Sequence, residues 1–78
     1  MFDDIPVNLP GTVWRHYKEG KMYTVTGTAW HTETGKMLVL YTPQYPPFGI
    51  VYARPAELFF GCVDDTQVRR FTQVKQEL

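Results

Sequence analysis

The chain has 78 residues, with 8 Lys+Arg, 8 Asp+Glu and a formal net charge of zero. That length holds one domain rather than two, and the balanced charge argues against a protein that coats nucleic acid through a general basic excess. Hydrophobic residues at 44% and charged residues at 21% describe a globular chain and exclude a disordered one.

Residues 1–10 carry Pro6 and Pro10 with little periodicity and read as an extended arm that enters the domain at Gly11. Thr12 to Lys18 suits a strand, because Val13, Trp14 and Tyr17 are β-formers. Glu19-Gly20-Lys21 is a turn. From Met22 to His31 the pattern alternates: Tyr23, Val25, Gly27, Ala29 and His31 share one face, and Met22, Thr24, Thr26, Thr28 and Trp30 share the other. The small Gly27 and Ala29 point to a bulge, a sharp bend or a close backbone approach. Thr32 to Lys36 is a hairpin loop in which Gly35 supplies a positive φ. Met37 to Thr42 is the next strand, Pro43 to Gly49 a proline-rich loop, and Ile50 to Arg54 a further strand. Pro55 suits the first turn of a short helix through Phe60, closed by Gly61. Cys62-Val63 and Val68 to Val74 flank the turn Asp64 to Gln67, and residues 75–78 form a tail. Five short strands and one helical turn predict a single all-β domain over residues 11–74, a small barrel whose closure removes exposed sheet edges.

Cys62 is the single cysteine, so an intrachain disulfide and a Cys-only zinc site are both excluded. A lone thiol fits a reducing cytosol. Its neighbours Phe60 and Val63 predict a buried, inert side chain. Residues 1–6 show no basic segment and no apolar run, and the longest clean apolar run, Met37 to Tyr41, is five residues. A soluble, cytoplasmic protein is expected. Twelve aromatic residues are many for so short a chain. They predict stabilisation by ring packing and a homo-oligomer.

Five motifs carry a family resemblance: Trp14-Arg15-His16-Tyr17-Lys18, Tyr23 to Ala29, His31-Thr32-Glu33-Thr34-Gly35, Val39-Leu40-Tyr41, and Ala53-Arg54-Pro55 with Leu58-Phe59-Phe60. In order and spacing, from Gly11 to Val74, the chain resembles the bacterial and phage family known only as domain of unknown function 1653. The resemblance implies a compact SH3-like β module with no established reaction. The chain departs from the family pattern in having Trp14 in place of a Tyr. It also has the longer, stiffer loop Thr42 to Gly49 in place of Ala-Leu-Tyr-Gly. If that loop borders the site, ligand choice differs from that of other members.

The chemistry centres on a few residues. Arg15 and Tyr17 point one way along a strand and His16 and Lys18 the other. Together they offer a guanidinium fork, a point charge and a stacking face for an anion, against the plainer role of a solvated strand face. Arg54, at a strand end before a helical turn, offers another anion contact, or an ion pair with Glu57 or Glu33. His31 and Glu33 with His16 make a two-His, one-carboxylate set, but at no recognised ligand spacing. No metal and no cofactor is expected. Thr32, Glu33 and Thr34 are better suited to organising the hairpin, or Glu33 to holding Arg15 or Arg54. Cys62 with His16 or His31 is the only Cys–His combination, and no Gly-rich phosphate loop, Gly-x-Ser-x-Gly elbow or deaminase signature is present. No catalytic motif supports an enzyme. Trp14, Trp30, Tyr41, Tyr45, Phe48 and Tyr52 exceed what one small core hides, and they suit stacking on a base or an oligomer interface.

The expected protein is therefore an SH3-like five-stranded barrel that binds a nucleotide or nucleic-acid-derived anion without catalysis, in one version as a sequestering protein. Arg15, Lys18 and Arg54 meet phosphate, Tyr17 or Tyr41 stacks on a base, and His16, His31 and Glu33 add polar contacts. The alternative is a protein-interaction module using the aromatics and the Pro-rich loop.

Overall fold

The computed structural model describes residues 8–75. Of the expected arm and tail, residues 1–7 and 76–78 lie outside the described residues. The elements are β1 (Val13–His16), β2 (Met22–His31), β3 (Lys36–Pro43), β4 (Tyr52–Pro55), α1 (Ala56–Phe59) and β5 (Phe71–Val74). All five strands join one antiparallel sheet in the order β4-β3-β2-β1-β5. The all-β class and the single helical turn are as expected, and β2 has the expected bounds. The strand expected from Ile50 starts only at Tyr52, where pairing with Tyr41 begins after Gly49 turns the chain at φ 87°. Among the described residues no helix is long and apolar enough to cross a membrane.

The sheet is open. β4 and β5 are its two edges, and no ladder joins them to close the expected barrel. Side chains occupy the gap instead. Phe59 of α1 stacks on Phe71 of β5 with ring centroids 4.2 Å apart and planes 10° apart, while α1 also packs on β3 and β4. The core is aromatic, as the composition requires: Trp14, Val25, Val39, Tyr41, Phe59, Phe60 and Phe71 form one buried cluster. Trp14 meets Phe59 and Phe60 edge-on at 5.5 Å, the geometry that ring quadrupoles favour. Its indole N–H donates to Thr12 Oγ1 at 2.8 Å, and that hydroxyl donates to the Leu9 carbonyl at 2.6 Å. Trp14 and Tyr41 thus belong to the core and leave the pool of free rings.

β2 carries the bulge that Gly27 suggested. Val25 pairs with Tyr41, but Gly27 pairs with Leu40, so Thr26 is the extra residue. A bulge reverses the alternation beyond it. The grouping of Tyr23, Val25, Gly27, Ala29 and His31 on one face is therefore corrected. Tyr23 and Val25 face the core, and past the bulge it is Thr28, opposite the buried Val39, that shares their face.

Pro55 ends β4 with ψ 138° and stands at the helix N-cap rather than inside the first turn. The helix ends at Phe59 with Phe60 as its C-cap, and just beyond it the chain passes so close that a Cβ at Gly61 would lie 2.5 Å from the Glu57 carbonyl oxygen. After it, Cys62 forms an isolated bridge with Arg69 and its side chain is exposed, which corrects the expected burial. A single bridge outside the sheet leaves no second layer to cover the thiol.

Candidate functional site

The core face of the sheet continues past α1, and there all five strands contribute to one hollow. β1 gives His16, β2 Tyr23, β3 Tyr41, β4 Tyr52 and Arg54, and β5 Phe71; the space between them is about 130 Å³. Register explains the convergence, since directly opposed residues share a face. His16 opposes Phe71, Tyr41 opposes Tyr52, and Arg54 opposes the buried Val39. A second hollow of about 150 Å³ adjoins the first and is lined by His16, Lys18, Glu19, Lys21, Tyr23 and Tyr45. His16 and Tyr23 form the wall between them.

Tyr23 is the centre of the ring cluster, with Tyr41 at 5.4 Å, Tyr45 at 5.6 Å and Phe71 at 5.8 Å, all edge-on. Its hydroxyl shares a 2.5 Å hydrogen bond with that of Tyr45, which ties the loop after β3 to β2. Burial, then this hydrogen bond, pushes the Tyr23 phenol far above its usual range. It stays neutral at any physiological pH.

Arg54 is half-buried on this face, with its guanidinium carbon 5.7 Å from the centre of the Phe71 ring. The ion pairs that the sequence offered it do not form. Glu57 binds Lys36 at 2.8 Å, and Glu33 pairs with neither Arg54 nor Arg15. Lys21 is taken by Glu19 at 2.9 Å and sits 4.5 Å over the Tyr45 ring. Among the described residues, neither Arg54 nor Lys18 has a carboxylate partner.

His16 stands among these cations. Its Nδ1 accepts the Lys18 backbone N–H at 3.3 Å, which leaves the proton of the neutral ring on Nε2. Burial lowers its pKa first, followed by the positive charges of Arg54 and Arg70. Glu19 opposes them, and Lys18 adds a smaller push in the same direction. The site therefore presents an Arg fork, a Lys ammonium, an imidazole N–H and phenol hydroxyls beside ring faces. The one carboxylate lining it is already bound to Lys21. Such a donor set matches an oxyanion.

Of the residues singled out in the sequence, His16, Lys18, Tyr41 and Arg54 come together here. Arg15 lies on the opposite face, exposed, with its guanidinium 3.8 Å from the Met22 sulfur. Tyr17 has left the strand, and its exposed ring leans on His16 at 4.8 Å. His31 and Glu33 belong to the far end of the β2–β3 hairpin. Eight residues separate His31 from Tyr23, about 26 Å of strand. There His31 Nδ1 accepts the backbone N–H groups of Glu33 and Thr34, both at 3.3 Å, and so organises the turn. Among the described residues, no three His, Cys, Asp or Glu side chains gather as a metal site. Tyr41 is 5% exposed, ringed by Tyr23, Tyr52, Phe59 and Phe71 at 5.3–5.6 Å. Its faces are occupied, so it cannot stack on a base. Sequence reasoning missed Lys21, Tyr23 and Phe71, and it named Tyr45 and Tyr52 only among the surplus rings suited to stacking or to an oligomer interface. For Tyr23 a signal was present, since it alternates with Val25 on the core face of β2.

The chain matches the sequence profile of a protein of unknown function (DUF1653) over residues 12–73. No curated protein matches it. Its structure is similar to the crystal structure of a DUF1653 protein from Bordetella bronchiseptica, with TM-score 0.72 and 30% identity, over 100% of this chain and 97% of that one. The matched residues take in β1 to β4, the helical turn and all of β5 but Val74, and the chain belongs to the DUF1653 family.

Proposed function

We propose that this protein binds, without catalysis, a phosphate-bearing ligand with a planar ring: a nucleotide or a nucleic-acid-derived anion. The observation that carries the reading is Arg54, a half-buried guanidinium with no carboxylate partner among the described residues, set among rings. A buried charge is costly unless it is paired, and a ligand oxyanion supplies the missing partner. His16 Nε2–H adds a second donor. Tyr52, 38% exposed and lining the hollow, is the stacking ring, with Tyr17 flanking His16. In an SH3-like frame the site lies where the two sheet edges approach, bridged by side chains. A sequestering protein needs no more than this.

The exposed Phe48, Ile50 and Val51, beside Tyr45 in the loop before β4, supply an apolar surface for the proposed homo-oligomer. Sedimentation at high micromolar concentration tests it, and a species of only 9.1 kDa contradicts it.

Calorimetric titration of a panel of mono-, cyclic and dinucleotides tests the binding reading. Losing a charge-assisted bond costs about 1.5–3 kcal/mol, so Arg54→Lys weakens affinity at least tenfold if the contact is bidentate. Absence of binding by every member, or equal binding by the folded variant, sinks the reading.

A further inference from the structure

Two hollows share one wall, and each holds a cation with no carboxylate partner among the described residues. We infer that the site takes a ligand with two anionic groups, one on Arg54 and His16 and the other on Lys18, the class of a nucleoside diphosphate. This inference rests on the reading above and sharpens its ligand class.

The first hollow, about 130 Å³, is too small for a whole nucleotide, since ligand pockets of that kind run from about 300 Å³ upward. It has room for one tetrahedral anion against Arg54. The second, about 150 Å³, begins on the other side of His16 and Tyr23. Its two lysines are not equivalent. Lys21 is neutralised by Glu19 at 2.9 Å, whereas Lys18 pairs with no carboxylate among the described residues. The two subsites also differ in kind. Arg54 offers a planar fork suited to two oxygens at once, and Lys18 a point charge that tolerates several geometries. His16 and Tyr23 belong to both linings. The His16 N–H is thus a donor that the two subsites share.

Single-phosphate ligands fill one subsite and leave the other cation unsatisfied. Ligands with two adjacent phosphates engage both, and their affinity falls more steeply with salt because two charge contacts are made.

The test is calorimetric titration of wild type, Lys18→Ala and Lys36→Ala with nucleoside mono- and diphosphates of the four bases. Lys36 is the control, an exposed lysine bound to Glu57 at 2.8 Å and outside both hollows. The inference predicts that wild type binds a diphosphate at least tenfold tighter than its monophosphate. Lys18→Ala brings that ratio close to one, and Lys36→Ala leaves it as in wild type. Equal binding of mono- and diphosphate by wild type overturns the two-anion inference and leaves the broader reading standing, as does a ratio that survives in Lys18→Ala. Absence of binding by every nucleotide overturns both.

Discussion

Arg54 on one edge strand lies 5.7 Å over the ring of Phe71 on the other. The pair spans the gap that no backbone ladder closes, and both residues line the candidate site. A cation over a phenyl ring contributes about 0.5–1 kcal/mol at exposed sites, and desolvation of a charge with no carboxylate partner among the described residues opposes it. Arg54→Met keeps the apolar stem and removes the charge. We expect urea unfolding to show a stability change within about 1 kcal/mol, together with loss of anion binding. A large destabilisation would mark Arg54 as structural instead.

His16 predicts a pH dependence of stability. Its folded pKa lies below the ordinary 6.5, chiefly through burial and then through Arg54 and Arg70. Below pH 6.5 the unfolded state binds the proton more readily than the folded one, so stability rises with pH in that window. The contribution of this group is complete above 6.5 and is lost as pH falls toward its folded pKa. Chemical denaturation at pH 7.5 and 5.5 should show a smaller decline for His16→Gln than for wild type. Identical declines would show that His16 is not among the responsible groups.

The Tyr23–Tyr45 hydroxyl pair, at 2.5 Å, ties the Pro-rich loop to the sheet. A hydrogen bond of this kind contributes about 0.5–1.5 kcal/mol net. A double-mutant cycle of Tyr23→Phe and Tyr45→Phe should return a coupling energy of that size. Simple additivity would mean the bond is worth nothing in solution.

Two glycines separate space from conformation. At Gly61 a Cβ meets the Glu57 carbonyl oxygen at 2.5 Å, and backbone cannot yield as a side chain does. Gly61→Ala should cost about 1–3 kcal/mol, the range for overpacking. At Gly27 a Cβ has nothing within 4 Å. Gly27→Ala should be neutral or stabilising by up to about 1 kcal/mol, through the unfolded chain. Thermal denaturation of both variants checks the contrast, and equal effects would contradict it.

Much of the fold was legible because its signals are local. The alternation over Met22–His31, the Gly35 turn and the Pro55–Gly61 segment each mark an element within a few residues. Closure was not legible, because whether β4 pairs with β5 depends on residues about twenty positions apart. The phase change at Thr26 was visible as two small residues but not in its direction. In the site, Arg54 and His16 stood out by residue type. Tyr23 and Phe71 did not, since β-strand tyrosines and phenylalanines look alike in sequence whether they fill a core or line a hollow. Arg15 and Lys18 were both expected to meet phosphate, but Arg15 lies on the far face of β1 while Lys18, beyond the end of that strand, lines the second hollow. Cys62 misled through its apolar neighbours, because a residue in an isolated bridge need not share their burial.

The most direct test of the central claim is a backbone and side-chain chemical-shift titration of the protein with a nucleoside diphosphate. Saturable shifts at His16, Lys18, Tyr23, Tyr52 and Arg54, with Arg15, His31 and Glu33 unmoved, are the predicted result. Shifts centred on Arg15 or on the His31–Glu33 turn, or none at millimolar ligand, would contradict the account.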